Sequence, residues 1–473
     1  MILKNKNPFR LSVGIMAIAM VIGLCFVTSC SDDKKSDPAP TQSIVAIAQG
    51  NANLTSLVSA LTRFPDLVTT LSGSGTFTVF APSNQAFTNL LTAIGQTSLN
   101  DVPDAVLKKI LQYHVVSTAA LKSTQLTAGN VNTVASENIA VTLNPIKLNG
   151  TVNVTTADVL ATNGVVHIVD AVLVNPSITP IVGTIVAPAY FNKKFTTLIA
   201  AVNAASPSTL TALLAATPKK TLFAPTNDAF VAAGITTLPS ATVLDGILTY
   251  HVLGTEIKAA GLPTATAPAN SPVTTLNGTF YLSNPRTAGV FINGTTKVTQ
   301  TDIAASNGTA HVIDRTLIKP SQTIAAIVTD FTNKTGADKQ FTQLLAALNA
   351  FPDLLDATKS STSNITVFAP TDAAFTALYT AQSVADLNAL VTKLGSTNVK
   401  KVLQHHIINA RAFSTDLANG TLGTLNGDNL TVALPATITS AGGVAASLSP
   451  GPLNVHATNG VIHVIDKVLL PVL

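Results

Sequence analysis

Apolar and polar positions along this chain follow two rhythms, and both recur. In Ala52–Leu71 the apolar residues Leu54, Leu57, Val58 and Leu61 share one helical face. The stretch "FTQLLAALNAFPDLL" (Phe341–Leu355) repeats the pattern. Each helical stretch is followed by a short apolar run closed by Ala-Pro. The run starts at Thr78 ("TVFAP"), Thr221 ("TLFAP") and Thr366 ("TVFAP"), at spacings of 143 and 145 residues. A β-branched and aromatic run ending in Pro predicts a strand. A short helix and then a second helix, ending near a Tyr-His pair, are predicted next. The rest of each repeat is rich in Thr and Val, with "LNG" at Leu148–Gly150, Leu276–Gly278 and Leu425–Gly427. These segments predict antiparallel hairpins turned at Asn-Gly. Helices first and antiparallel strands later give an α+β class.

Two more motifs keep the same order in every copy. "ILQYHVV" (Ile110–Val116) returns as "ILTYHVL" (Ile247–Leu253) and "VLQHHII" (Val402–Ile408). "NGVVHIVD" (Asn163–Asp170) returns as "NGTAHVID" (Asn307–Asp314) and "NGVIHVID" (Asn459–Asp466). The period is too long for a solenoid unit, so each copy is expected to be a domain with its own core. Pro-containing joints at Asn175–Pro180 and Lys319–Thr323 divide the chain into domains at 42–176, 177–319 and 320–473.

The ordered set of Ala-Pro, Tyr-His and Asn-Gly…His-x-x-Asp motifs resembles the fasciclin domain, an extracellular adhesion module, three times over nearly all of Gln42–Leu473. The resemblance implies tandem domains, each with helices packed on a β-sandwich. It also implies adhesion or matrix binding in place of catalysis, and export or lipid anchoring in a bacterial member.

Residues 1–29 read as a targeting segment: Lys4, Lys6 and Arg10 precede an apolar run from Leu11 to Val27. The run ends in "VTSC", which resembles the lipobox of bacterial lipoproteins, with Cys30 as the lipidated residue. A plain signal peptide or an uncleaved anchor is the alternative. Residues 30–41 are short, charged and Pro-containing, which suits a flexible tether. The acidic "SDD" after Cys30 resembles the surface-export signals of some Gram-negative lipoproteins. The expected location is therefore the cell envelope, lipid-anchored, at the outer membrane and exposed at the surface.

This reading alters the composition. The two cysteines are Cys25, which leaves with the leader, and Cys30, which carries lipid, so no disulfide or thiol chemistry is expected. The leader removes three of the 27 basic residues and no acid, leaving basic residues nearly balanced against 23 acids. A near-neutral chain without basic clusters argues against nucleic-acid binding. Charged residues make up 11% of the chain, well below the usual share of about 25%, so its surface should be largely Thr, Ser, Asn and Ala. There is no Gly-rich phosphate loop, HExxH or C-x-x-C motif and no Trp, and the Asn-x-Thr sequons are read as accidental. No cofactor and no metal is expected.

Within the Ala-Pro unit, Ser83, Thr226 and Thr371 are placed to cap the next helix, with Asn84, Asp228 and Asp372 in its first turn. Phe80, Phe223 and Phe368 are expected in the core with Phe87, Phe230 and Phe375. A nucleophilic Ser/Thr is the alternative, but a nucleophile elbow needs Gly on both sides and Pro stands before it here.

Six of the eight histidines lie in the motifs: His114, His167, His251, His311, His406 and His463. With Asp170, Asp314 and Asp466 they suggest a metal site or a relay. Strand geometry opposes this, since residues three apart face opposite sides. A structural role, with each ring hydrogen-bonded to backbone, is the favoured reading, although His114 could still meet His167 across the fold. His405 replaces the tyrosine of Tyr113 and Tyr250 in the third copy.

In fasciclin modules of animal matrix proteins the Tyr-His region is linked to integrin binding. The stretches before it here do not reproduce the short integrin motifs, so only the location carries over. Tyr113, His114, Tyr250, His251, His405 and His406 thus mark a candidate partner surface, although packing of Tyr and His at the helix end is the favoured reading. The expected function is multivalent contact with an extracellular protein or polysaccharide. An envelope spacer without a ligand, or a His-dependent metal enzyme, is the alternative.

Overall fold

The computed structural model describes residues 39–262, 270–283, 289–336, 339–435, 437–448 and 452–473. The expected leader, Cys30 and the tether as far as residue 38 lie outside the described residues. Gln42–Leu473 forms one compact unit.

The opening helical stretch of the first copy is broken into short helices. Ile44–Gly50, Thr55–Leu61 and Pro65–Ser72 succeed one another, with a 3-10 turn at Ala52–Leu54. Pro65 has no N–H to donate and a fixed φ, so it starts a helix and cannot continue one. Pro352 does the same in the third copy, where Thr342–Ala350 gives way to Pro352–Lys359. The helix Asp104–Tyr113 ends at the Tyr-His pair, as do Ala241–Tyr250 and, one residue earlier, Ser396–Gln404.

The Phe77–Pro82 strand pairs in parallel with Gly164–Val169, which sets Phe80 opposite His167, and antiparallel with Val115–Val116. The sheet continues antiparallel through Val152–Ala161, Lys147–Leu148, Asn138–Thr142 and Gly129–Asn132, making seven strands. The second copy has the same seven-stranded order, whereas in the third the strands form two four-stranded sheets. The long Val152–Ala161 strand carries two register shifts against Gly164–Val169. Bulges of this kind bend a strand and let one sheet close over a core.

Every copy has two apolar clusters, one on the helical side of the Ala-Pro strand and one on its β side. Phe87 belongs to the first and Phe80 to the second. Phe230 and Phe223 divide in the same way, as do Phe375 and Phe368. This corrects the expectation of a single shared core: all six rings are buried, but the strand and the helix after it aim them at opposite layers.

The three "LNG" tripeptides all make hairpin turns but are not equivalent. Leu276 and Leu425 donate their N–H to Val252 O and Ile407 O, and the first-copy residue in that role is Val134, which donates to Val115 O. Leu148–Gly150 occupies the next hairpin but one, between Lys147–Leu148 and Val152–Ala161, where Asn149 exchanges hydrogen bonds with Ala140. Asn293 does the same with Tyr281.

The Asn-Gly of the last motif ties the helices to the sheet. Asn163 Oδ1 accepts from Ile44 N–H at 3.0 Å, and its Nδ2 donates to Leu71 O and Gly73 O. Asn307 and Asn459 repeat these bonds with Ile185 and Ile324. Gly164 is required by close approach: a Cβ there would lie 2.1 Å from Phe77 O. The joint after the first copy also packs inward, since Ile178, Ala187 and Phe191 complete that copy's helical-side cluster.

Candidate functional site

The Ala-Pro unit is a set of fasteners. Thr78 Oγ1, fully buried, donates to Ala119 O at 2.7 Å and accepts from Leu121 N–H at 2.8 Å. Thr221 and Thr366 hold Thr255–Ile257 and Ala410–Ala412 in the same way. Ser83, Thr226 and Thr371 accept from the N–H of Ala86, Ala229 and Ala374, each at 3.2 Å, and so cap their helices. Asn84 also reaches backward, its Oδ1 accepting from Ser56 N–H at the start of a preceding helix. Asn227 and Asp372 do the same for Thr197 and Gln343, so the second-copy counterpart of Asn84 is Asn227 and not Asp228.

The histidines fall into two classes with opposite tautomers. His114 Nδ1 lies 2.8 Å from Ile110 O, and its Nε2 accepts from Leu173 N–H at 2.8 Å. A carbonyl can only accept and a backbone N–H can only donate, so the proton sits on Nδ1. His251, between Ile247 O and Leu317 N–H, and His406, between Val402 O and Leu469 N–H, are fixed identically. The strand histidines carry the proton on Nε2. His167 donates to Leu121 O at 2.8 Å, and its Nδ1 faces Asp158 N–H at 3.3 Å. His311 and His463 repeat this with Ile257 and Asp302, and with Ala412 and Asn454. Burial pushes His114, His251, His406 and His463 down to about 4. It also lowers His167 and His311, against smaller opposing effects of the backbone bond and the nearby Asp.

In these six rings both nitrogens are engaged by backbone, which leaves no lone pair for a metal or a substrate. The aspartates of the motif stand apart from them. Asp170 accepts from Asn153 N–H and Nδ2, Asp314 from Lys297 N–H and Asp466 from Ser447 N–H. His114 and His167 do not meet as a pair; they hold different loops. Among the described residues no three His, Cys, Asp or Glu side chains gather as metal ligands.

The six residues marking the candidate partner surface are Tyr113, His114, Tyr250, His251, His405 and His406, and all are buried. Their side chains therefore offer nothing to a partner, which corrects that assignment. Tyr113 OH donates to Asn138 O at 2.6 Å and Tyr250 OH to Thr279 O at 2.9 Å, fastening the helix end to the sheet. His405 in the same place contacts Thr424 Oγ1 and Asn426 Oδ1, and its buried Nε2 finds no hydrogen-bond partner among the described residues. What the region exposes is the outer face of the helix before the pair. In the second copy this face borders an open cleft of about 430 Å³ lined by Ile235, Val243, Ile247, Asn277, Ile318 and Lys319 among others. Val243 and Ile318 in its lining, and Leu276 next to Asn277, are each about half exposed.

Sequence reading missed three sets of positions. The Thr clamps and the Asn anchors were visible as repeated letters, but their partners are distant in sequence. The third set, Asp158, Asp302 and Asn454, stands nine residues before each strand histidine. All three have φ near +60°, a conformation that Asp and Asn tolerate better than most residues. An Asp or Asn at that fixed offset was the available signal.

Comparison with known proteins gives a consistent result. The Fasciclin domain profile matches residues 52–175, 193–319 and 339–471. Protein sll1483 of Synechocystis is 38% identical over 28% of this chain and 73% of its own length. The transforming growth factor-beta-induced protein ig-h3 of pig is 32% identical over 53% of this chain and 36% of its own length. Human periostin is 27% identical over 85% of this chain and 44% of its own length. The chain thus spans less than half of either of these two animal relatives. A FAS1 domain pair from the insect cell adhesion molecule fasciclin I aligns with 59% of this chain and 97% of its own, at 21% identity. Its TM-score of 0.28 is too low for the two domain arrangements to be compared. With three matches covering most of its length, the chain belongs to the fasciclin-domain family and carries three fasciclin domains in tandem.

Proposed function

We propose that this chain is a lipid-anchored protein of the cell envelope, where its three fasciclin domains make multivalent contact with an extracellular protein or polysaccharide. One observation carries this reading: a whole module is repeated three times, and in each copy the motif side chains are committed to that copy's own core. A sequence repeated in this way supplies surfaces. Linked modules gain avidity because a second contact becomes intramolecular. The basic start, the apolar run and Cys30 support lipid anchoring, and the acidic residues after Cys30 support an outward-facing place on the outer membrane.

The cleft of the second copy, with Val243 and Ile318 exposed at its edge, is the best candidate contact. Exposed apolar patches of this sort mark interaction sites in soluble domains. Attachment of cells to surfaces coated with matrix protein or polysaccharide tests the reading. Attachment should fall when the gene is deleted, when Cys30 is replaced by Ala, and when Val243→Asp and Ile318→Asp are combined. Unchanged attachment of the deletion strain to every coating would sink the proposal. A mere spacer would instead tolerate exchange of the order of its domains and the double substitution.

A further inference from the structure

The contact between the second and third domains is built differently from the rest of the surface. Arg411, only 6% exposed, lays its guanidinium 4.6 Å from the centre of the Tyr281 ring across the boundary. Its N–H groups donate to Asn364 Oδ1, Ala457 O, Gly460 O and Thr458 O, all in the third domain. Among the described residues it makes no ion pair with a carboxylate, so the ring face of Tyr281 supplies the negative electrostatic partner. Around this pair, Phe413 and His456 close an aromatic cluster. The His456 ring is 5.2 Å from Phe413 at 80° and 6.0 Å from Tyr281 at 77°.

Polar bonds seal the edge. Asn270 Nδ2 donates to Arg411 O at 2.8 Å and to Asp416 Oδ2 at 2.6 Å, and Ser283 Oγ pairs with Thr415 Oγ1 at 2.8 Å. Asn454 Nδ2 donates to Gly294 O at 3.1 Å. Gly294 sits so close that a Cβ there would lie 2.5 Å from Phe413 Cβ. A buried cation, a fully buried carboxylate and a glycine-dependent approach make this a fitted joint and not a chance contact.

We propose that the second and third domains work as one docked pair, and that protonation of His456 releases them. Neutral imidazole suits edge-to-face packing on Tyr281 and Phe413. Imidazolium does not, for two reasons visible in the geometry. Among the described residues His456 Nε2 is buried with no hydrogen-bond partner, so a proton there would be a buried donor without an acceptor. The charges around it are also mostly positive. Arg411 lies on the 411–416 segment, and Lys319 and Lys334 line the cleft that His456 shares, with Asp330 as the single acid there. Asp330 is already accepting from Gln322. Tyr281, on the Gly278–Ser283 strand, meets His456 through its ring and has its face taken by the Arg411 guanidinium. Asp416 acts in the opposite sense, because burial raises its carboxyl and acid would neutralise it more readily in the closed joint.

Burial, followed by the charge of Arg411, pushes His456 down to about 3 in the closed joint. An open joint returns the ring towards its ordinary value of about 6.5. Protons therefore bind the open form first, and docking weakens as pH falls below that value. Between pH 7.5 and pH 5 the docking constant should drop by as much as about 30-fold.

The test uses the chain from residue 31 onward, which has no cysteine, with Ser283→Cys placed inside the joint. The rate of labelling by dithiodipyridine is divided by that of a small free thiol at the same pH, giving the open fraction. The ratio should rise at least tenfold between pH 7.5 and pH 5 while the far-UV circular dichroism stays constant. Adding His456→Phe keeps a ring in the cluster and removes the titration, so the ratio should then rise less than threefold. Small-angle scattering of the chain without the Cys substitution gives a second reading, since its radius of gyration should grow at pH 5 and that of His456→Phe should not. An equal response in both proteins, no response, or a response only where the helical signal is lost would overturn the proposal.

Discussion

The Leu173 N–H donates to His114 Nε2 at 2.8 Å across 59 residues of sequence. The same imidazole holds Ile110 O through its Nδ1–H, so one side chain joins the end of a helix to the segment that leaves the last strand. His251 and Leu317, and His406 and Leu469, make the same link in the other copies. Replacing His114 by Phe would keep a ring but leave a buried N–H unpaired. The expected cost is about 2–3 kcal/mol, read as a lower urea midpoint of the first domain with an unchanged slope. A midpoint equal to wild type would show that the bond contributes nothing.

Acid should attack the third domain before the others. An unfolded chain takes up protons near pH 6.5, whereas the folded rings refuse them until about 4. Stability is therefore fully present above about 6.5 and declines as pH falls towards 4. At pH 5 each such ring withdraws about 2 kcal/mol. The first and second domains each hold one ring pushed to about 4 and one lowered less far. The third holds His406 and His463 at about 4 and His456 at about 3, and burial lowers His405 as well. Hydrogen exchange at pH 5 should show its amides opening most. Equal protection of the three domains would contradict this ordering.

The Asn163 anchor offers an isosteric test. In Asn163→Asp the Oδ1 bond to Ile44 N–H can persist, but a carboxylate oxygen then faces the carbonyls of Leu71 and Gly73. The change should cost more than about 2 kcal/mol at pH 7 and recover partly in acid as the carboxyl protonates. A thermal midpoint within a degree of wild type would refute the anchoring role.

At the helix cap, Ser83 accepts from Ala86 N–H, and the other copies use threonine for the same bond. Ser83→Thr should be nearly neutral, and Ser83→Ala should cost about 1 kcal/mol. If alanine were as stable as threonine, the cap would contribute nothing to the Asn84–Ala93 helix.

Much of this architecture was legible because each repeated letter has a local meaning. The Ala-Pro strand and its capping Ser or Thr follow from propensities within a few residues, whereas the apolar spacing of Ala52–Leu71 and Phe341–Leu355 suggests one helical stretch each and passes over the breaks at Pro65 and Pro352. The copy number followed from repetition alone. The layer occupied by Phe80 as against Phe87 was hidden, because it depends on how the strand sits between two cores. Burial of Tyr113 and His114 is the favoured reading of a helix-end pair, but the letters alone do not name what covers it, since the strand at Asn138 is distant in sequence. Most of all, the Tyr281–Arg411 contact between domains had no repeated letter to announce it. It joins residues that do not recur at matching positions, so three-copy comparison passes over it.

The third copy's departure at His405 yields the last prediction. Tyr113 and Tyr250 are fully buried with their hydroxyls bonded to a strand carbonyl, so the fold accommodates a phenol at this position. His405 is equally buried, but its Nε2 finds no partner among the described residues, and burial lowers its affinity for a proton. His405→Tyr would replace an idle nitrogen with a hydroxyl able to reach the strand Asn429–Ala433, the counterpart of Asn138–Thr142. It would also remove one of the four histidines that oppose folding in acid. The gain should depend on pH in a defined direction: small at pH 8, where the imidazole is neutral in both states, and larger at pH 5.5, where the unfolded imidazole takes up a proton more readily than the folded one. Differential scanning calorimetry of the third domain's transition at the two pH values measures it. A thermal midpoint raised equally at both would mean that packing alone, and not the proton, separates histidine from tyrosine at this site.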